Sequence, residues 1–316
     1  MSEMTLKDAI LQCVEVTGSL QIAYWLTEEL IGYSSTEVVL DPGICLTTTQ
    51  SAILSEAINR IRGLEPLQYV IGKWSFRGIE LVCDRRALIP RPETEIVAEA
   101  AIDRVAEAAI DRVAEAAIDR THGESLLVAD LGTGSGAIAL SIASEINQRY
   151  PEVDISVVAT DISYDALELA RENMELIARL QPKMTELISL RHGSWYEALP
   201  AEAKGRFSVI VSNPPYISRN QWNGLESTVK EHEPEIALVG GDSGIECYRH
   251  LIDGAPQWLM PNGCIVLEID PSQAGIVADM AAVAGFQDIV VKEDLCERPR
   301  VLIASGLGAW DRTPGC

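Results

Sequence analysis

From Ser125 onward this chain alternates short apolar, β-branched runs with longer helical stretches, and that alternation restricts the fold more than any other feature. Candidate strands are Leu126–Asp130, Ile155–Thr160, Leu187–Leu190, Phe207–Ser212, Cys264–Ile269, Asp288–Val291 and Arg300–Ala304. Helical patterns lie between most of them, notably over Ala137–Tyr150 and Ser163–Leu180. Strands that alternate with helices in this way build a mostly parallel, doubly wound α/β sheet. Ligands bind such sheets beyond the carboxyl ends of the strands. The residues that follow each strand are therefore the ones to read for chemistry.

Upstream the pattern differs. From Thr5 to about Arg62 apolar residues recur at helical spacing, as in Leu6, Ile10, Cys13 and Val14. Asp41-Pro42-Gly43 marks a turn, and Gly63 ends the last helix. Residues 1–67 read as a small helical domain. Residues 68–90 read as a β-hairpin linker, with two short strands, 74–77 and 79–82, around Gly78. A third segment, 91–316, carries the alternating pattern. Pro92 can occupy the first turn of its opening helix, where Glu93 and Glu95 suit the positive end of the helix dipole. That helix is expected over 93–120, ending near Gly123, and contains VAEAAIDR three times in succession, at 97–104, 105–112 and 113–120. An eight-residue unit rotates the helix face by about 80° per copy, so identical copies cannot all present the same face to one core. A tandem duplication tolerated because Ala-rich sequence is helical anywhere is the favoured reading over an array that binds a partner.

A chain of 316 residues has room for two domains. Its net charge of −22 argues against binding long nucleic acid through phosphate neutralisation, so no direct DNA binding is expected. No amino-terminal apolar segment resembles a signal peptide, and no apolar run approaches a membrane span. The seven cysteines are scattered and never paired as CxxC, the pattern of reduced thiols and not of a disulfide frame or a zinc site. The expectation is a cytoplasmic, metal-free monomer with no membrane contact.

The first strand runs into DLGTGSGAIAL, residues 130–140. Gly132, Gly134 and Gly136, with Thr133 and Ser135 between them, make a tight turn that leaves room for a ligand at a helix start. Gly132, Gly134 and Ala137 also match the dinucleotide fingerprint, so the glycines indicate a nucleoside cofactor without saying which. Asp161 ends the second strand, where a carboxylate can accept from ribose hydroxyls or simply cap the helix near Ser163. Trp195, after the third strand, either walls an adenine pocket or packs in the core. The fourth strand delivers Ser212-Asn213-Pro214-Pro215-Tyr216. Two prolines beyond a strand fix two φ angles and stiffen the sheet edge. Asn213 and the Pro214 carbonyl can accept the two N–H bonds of a planar amide or amino group, and Tyr216 can stack on it. That arrangement suits methyl transfer to an sp² nitrogen through positioning and hydrogen bonding. An NAD-dependent dehydrogenase would explain the glycines and nothing after them.

The combination resembles the release-factor glutamine N5-methyltransferases of the HemK/PrmC type. The resemblance rests on EPLQYVIGKWSF (65–76), IPRPETE (89–95), DLGTGSGAIAL, VVATDIS (157–163), SNPPYI (212–217), EHEPEIALVGGDSGIECYR (231–249) and DLCERPRVLIA (294–304). It implies a Rossmann-like class I methyltransferase domain with a seven-stranded, mostly parallel sheet, behind a helical domain that docks the substrate. The implied substrate is the glutamine of the GGQ loop in class I peptide-chain release factors. Residues 132–136, Asp161, Trp195 and Asn213 would contact S-adenosylmethionine, and Asn213 through Tyr216 would hold the glutamine amide. NPPY chemistry alone also fits N6-adenine methylation of DNA or RNA, and an inactive docking protein of the same fold is the non-enzymatic alternative. Two departures stand out. Asp270-Pro271 follows the fifth strand where similar sequences have glycine before Gln273, which predicts a differently shaped loop. The repeated octads add sixteen residues, about 24 Å of helix.

Overall fold

A computed structural model describes residues 4–119 and 125–307. The chain divides into two compact units, one of residues 1–73 with 83–85 and 226–232, the other of 74–82, 86–225 and 233–316.

The first unit is built mainly from helices α1 (Leu6–Thr17), α2 (Leu20–Ile31), α3 (Ser35–Leu40), α4 (Thr48–Arg62) and α5 (Leu67–Ile71). Local chemistry delimits them. Thr5 with Asp8, Ser34 with Glu37 and Thr47 with Gln50 each form a reciprocal capping box at the start of α1, α3 and α4. Gly18 and Gly32 end α1 and α2 in the left-handed conformation. Leu6, Leu26, Leu54 and Ile58 are fully or almost fully buried at the centre of this unit. Residues 67–71, where a β linker was expected to begin, form one helical turn that opens at Pro66 and closes at Gly72. The hairpin, which apart from Lys73 belongs to the second unit, is shorter, β1 (Lys73–Phe76) and β2 (Ile79–Val82). Its two-residue turn has positive φ at both Arg77 and Gly78, which matches the twist of a tight hairpin.

In the second unit α6 (Pro92–Asp119) is one continuous helix over the described residues, and its expected end near Gly123 lies outside them. The octads do face differently. Val97, Ala98, Ala100, Ala101 and Ile102 of the first copy are buried, whereas only Val105 and Ala109 of the second are. Ile102 is 1% exposed and its counterpart Ile110 is 54% exposed.

After α6 come β3 (Leu126–Leu131), α7 (Ala137–Arg149), β4 (Ile155–Asp161), α8 (Tyr164–Ala178), α9 (Met184–Leu187), β5 (Ile188–His192) and β6 (Phe207–Ser212). Then follow α10 (Arg219–Gly224), α11 (Ser227–His232), which belongs to the first unit, α12 (Glu246–Gly254), β7 (Leu259–Glu268), α13 (Ala274–Val283), β8 (Phe286–Glu293) and β9 (Pro299–Leu307). The seven strands order as β5-β4-β3-β6-β7-β9-β8. Pairing is parallel from β5 to β7, and β9 runs antiparallel between β7 and β8. Adjacent residues feed opposite faces. Val128 packs with α6 and α7, while Ala129 packs with α12 and α13. Burial on both faces is why the inner strands β3, β4 and β6 read as unbroken apolar runs. The chain reverses its direction of sheet growth between β3 and β6, so the crevice at their carboxyl ends is the switch point.

Candidate active site

A cavity of about 290 Å³ opens at that switch point. Its lining includes Gly132, Thr133, Gly134 and Ser135 after β3, Asp161 after β4, Trp195 after β5, and Asn213 and Pro215 after β6. Five residues of the segment before α6, Arg86–Pro90, and Thr94 complete one side. Gly136, Pro214 and Tyr216 are not in the lining. Gly136 caps α7 against Leu140 and Ala170. Pro214 is buried.

The glycine loop is braced from within. Gly132 and Thr133 donate their amides to the Thr160 carbonyl, each at 2.8 Å. The fully buried Asp130 accepts from the Thr133 hydroxyl at 2.6 Å and from the Ala139 amide at 3.1 Å. Burial lifts the Asp130 carboxyl to about 7, against the pull of those two bonds. Trp195 lies directly on the loop: a Cβ at Gly132 would come within 3.1 Å of the indole ring. Its own backbone sits at φ +46°, a strained region for a bulky residue.

Asp161 does not cap α8. Ser163 does, with its hydroxyl accepting from the Ala166 amide. Asp161 instead accepts from the Gly134 amide through Oδ2 and from the Ser163 amide through Oδ1, both at 2.9 Å. Each carboxylate oxygen keeps a lone pair beyond those bonds, and the group lines the cavity. Burial raises its pKa, opposed by the amides of Ser163 and Gly134.

The NPPY segment is tied on three sides. Ile217 bridges Val239 in parallel, and the Ile217 amide donates to the Leu238 carbonyl. The Gln273 side-chain amide donates to the Tyr216 carbonyl at 3.2 Å. Gln273 arrives there because Asp270 caps the short turn Pro271–Gln273, accepting from the Ser272 amide at 2.8 Å. The aspartate–proline departure therefore still delivers Gln273 to the site. Tyr216 lies near Glu268, and burial together with that carboxylate's charge holds its phenol above the usual range; the ring is not part of the cavity wall. Asn213 donates through Nδ2 to Thr94 Oγ1 at 3.1 Å, and Thr94 donates to Glu268 Oε2 at 2.7 Å.

The family resemblance implies that Arg91–Glu95 form part of the pocket's rim without giving each residue a job, and Glu268 and the pairing of Arg91 with Glu233, whose carboxylate takes two 2.6 Å bonds from one guanidinium nitrogen, have no place in it. The available signals were positional: a threonine in the first turn of a helix, and glutamates in otherwise apolar surroundings. Among the described residues, no group of three or more His, Cys, Asp or Glu side chains could hold a metal ion. No helix among them is long and apolar enough to cross a membrane.

Two family models match the chain, a PrmC N-terminal domain over residues 9–72 and a methyltransferase small domain over 95–230. A release factor glutamine methyltransferase of Deinococcus radiodurans is 34% identical over 283 residues, covering 90% of this chain and 90% of its own. One from Clostridium acetobutylicum is 29% identical over 309 residues, covering 95% and 98%. A Rickettsia felis protein named bifunctional methyltransferase is 36% identical over 254 residues, yet the chain covers only 45% of that protein. With 34% identity across nine-tenths of two whole chains, and both models matching in order along its length, the chain belongs to the release factor glutamine methyltransferase family.

Proposed function

We propose that this protein moves a methyl group from S-adenosylmethionine to the side-chain amide nitrogen, N5, of the glutamine in the GGQ motif of class I peptide-chain release factors. The observation that carries this reading is the presence of Asn213 and Pro215 in the wall of the same cavity as the glycine loop and Asp161. The cavity suits the methyl donor. Backbone glycines leave space on one side, Asp161 keeps acceptor capacity for ribose hydroxyls, and the Trp195 indole offers a flat apolar wall. When bound, the donor supplies an electrophilic methyl on a sulfonium, whose C–S bond breaks as the C–N bond forms, leaving S-adenosylhomocysteine.

The chain's own residues orient the acceptor. Asn213 accepts one N–H of the glutamine amide through Oδ1, and the Pro214 carbonyl accepts the other. Holding both hydrogens favours a pyramidal nitrogen and directs its lone pair toward the methyl. The proton lost from nitrogen passes to solvent after transfer. The fixed φ angles of Pro214 and Pro215 keep these acceptors in place without further ordering cost. A release factor substrate also sets the cytoplasm as the place of action, and the helical unit of residues 1–73 is the part assigned to docking it.

The test supplies methyl-labelled S-adenosylmethionine with a release factor, with the same factor carrying a replaced GGQ glutamine, and with DNA and RNA. Label is expected on the intact factor alone. Label on nucleic acid alone would overturn the substrate while leaving the nitrogen chemistry standing. Asn213→Ala is expected to lower turnover by about 10²–10³-fold, as loss of an oriented polar contact in a dry site does.

A further inference from the structure

We propose that Thr94 and Glu268 form a hydrogen-bond relay that fixes which end of the Asn213 amide is free to meet the substrate, so that both are positioning residues for methyl transfer. The inference rests on the role given to Asn213 above and deepens it.

The relay follows from counting protons. Thr94, in the first turn of α6, and Glu268, the last residue of β7, are 4% and 1% exposed. The Thr94 hydroxyl has one hydrogen and donates it to Glu268 Oε2 at 2.7 Å. Toward Asn213, 3.1 Å away, Thr94 Oγ1 can then only accept. The amide must present its NH₂ there, which turns Oδ1 to the opposite edge of the side chain. The Asn213 side chain makes no other hydrogen bond among the described residues, and it lines the cavity. Oδ1 is left as a free acceptor, the atom an incoming amide N–H requires.

The direction of the relay is set at its far end. An ionised carboxylate offers only acceptors, and Glu268 takes a hydrogen bond from the Thr94 hydroxyl. The charged and titratable groups around it are Arg300 on β9, Glu93 on α6, Tyr216 after β6 and Tyr248 on α12. Burial pushes the Glu268 carboxyl up to about 7, while Thr94 and Arg300 favour the charged form. A neutral amide at position 268 breaks the logic. Its NH₂ can donate to Thr94, whose proton is then free to point at Asn213. The asparagine amide would answer by flipping and offering Nδ2 to the cavity, a donor facing a donor.

The experiment measures single-turnover methyl transfer to the release factor at saturating cofactor and substrate, with S-adenosylmethionine affinity and melting temperature measured alongside. Thr94→Val and Glu268→Gln are both expected to slow transfer by about 10- to 100-fold, the range for partners that orient a reacting group, with cofactor affinity within about threefold of wild type. Thr94→Ser keeps the hydroxyl and is expected to restore most of the rate. Transfer at the wild-type rate by Thr94→Val, or equal impairment of the Ser and Val variants, would overturn the relay. If Thr94→Val does not fold, Thr94→Ser is set against Glu268→Gln: a fast serine variant beside a slow glutamine variant supports it, and equal rates refute it. A wild-type protein that leaves the release factor unlabelled would instead refute the functional reading and the relay with it.

Discussion

Gly240 shows at the scale of one residue how little freedom the NPPY segment has. A Cβ there would lie 2.2 Å from the Pro215 carbonyl oxygen, a contact that backbone on backbone cannot tolerate. Gly240→Ala must therefore move the segment that holds Asn213. The expected result is slower methyl transfer together with about 1–3 kcal/mol of lost stability, the usual cost of overpacking, read from turnover and a denaturant melt. Gly132–Ser135, Asp161 and Asn213 stood out in the sequence as candidates by residue type at a strand end, and the structure brings them to one cavity. Asp130, Thr94 and Glu268 did not. Thr94 and Glu268 work through partners far away in sequence, 174 residues apart, and Asp130, whose partners Thr133 and Ala139 are close along the chain, is marked out only by its complete burial.

Among the elements, α6 offers an internal control. Ile102 and Ile110 occupy the same place in two identical octads, yet only the first is buried. Ile102→Ala is expected to cost about 2–5 kcal/mol through the cavity it leaves. Ile110→Ala, at an exposed site, is expected to stay within about 0.5 kcal/mol. Equal losses in thermal or urea unfolding would contradict the rotation of the octads. The inner strands β3, β4, β6, β7 and β9 were readable at this scale because burial on both faces leaves long apolar runs, whereas the edge strands β5 and β8 are largely exposed. The ends of the inner strands were less so: β7 begins at Leu259 and β9 continues to Leu307, extended by pairing with neighbours rather than by apolarity. The turn of helix at 67–71 escaped notice because five residues are too few to show a helical period. Its bracketing by Pro66 and Gly72 was the available sign.

At the scale of the whole molecule, burying carboxyls to build the site ties stability to pH. Asp130 titrates near 7 in the folded protein and near 3.8 as a free side chain. Below about 4 the group is protonated in both states and contributes no difference. Between about 4 and 7 the unfolded chain releases the proton while the folded one keeps it, so stability falls as pH rises; above 7 the loss is complete and constant. Relative to Asp130→Asn, which cannot ionise, the wild type should therefore lose up to a few kcal/mol between pH 4 and pH 8. Urea unfolding of both proteins across that range checks the sign, and a difference independent of pH would contradict it. The sequence by itself determined what pattern and residue type can encode: a helical region ahead of an α/β sheet, strands buried on both faces, and cofactor-type and amide-type residues at consecutive strand ends. Only the tertiary structure decided that Asn213 bonds Thr94 and Thr94 bonds Glu268, that Arg91 meets Glu233 across 142 residues of chain, and that Ile102 of one octad is buried while Ile110 of its copy is exposed. Hydrogen bonds and burial are properties of neighbours in space, and a single sequence shows only neighbours along the chain.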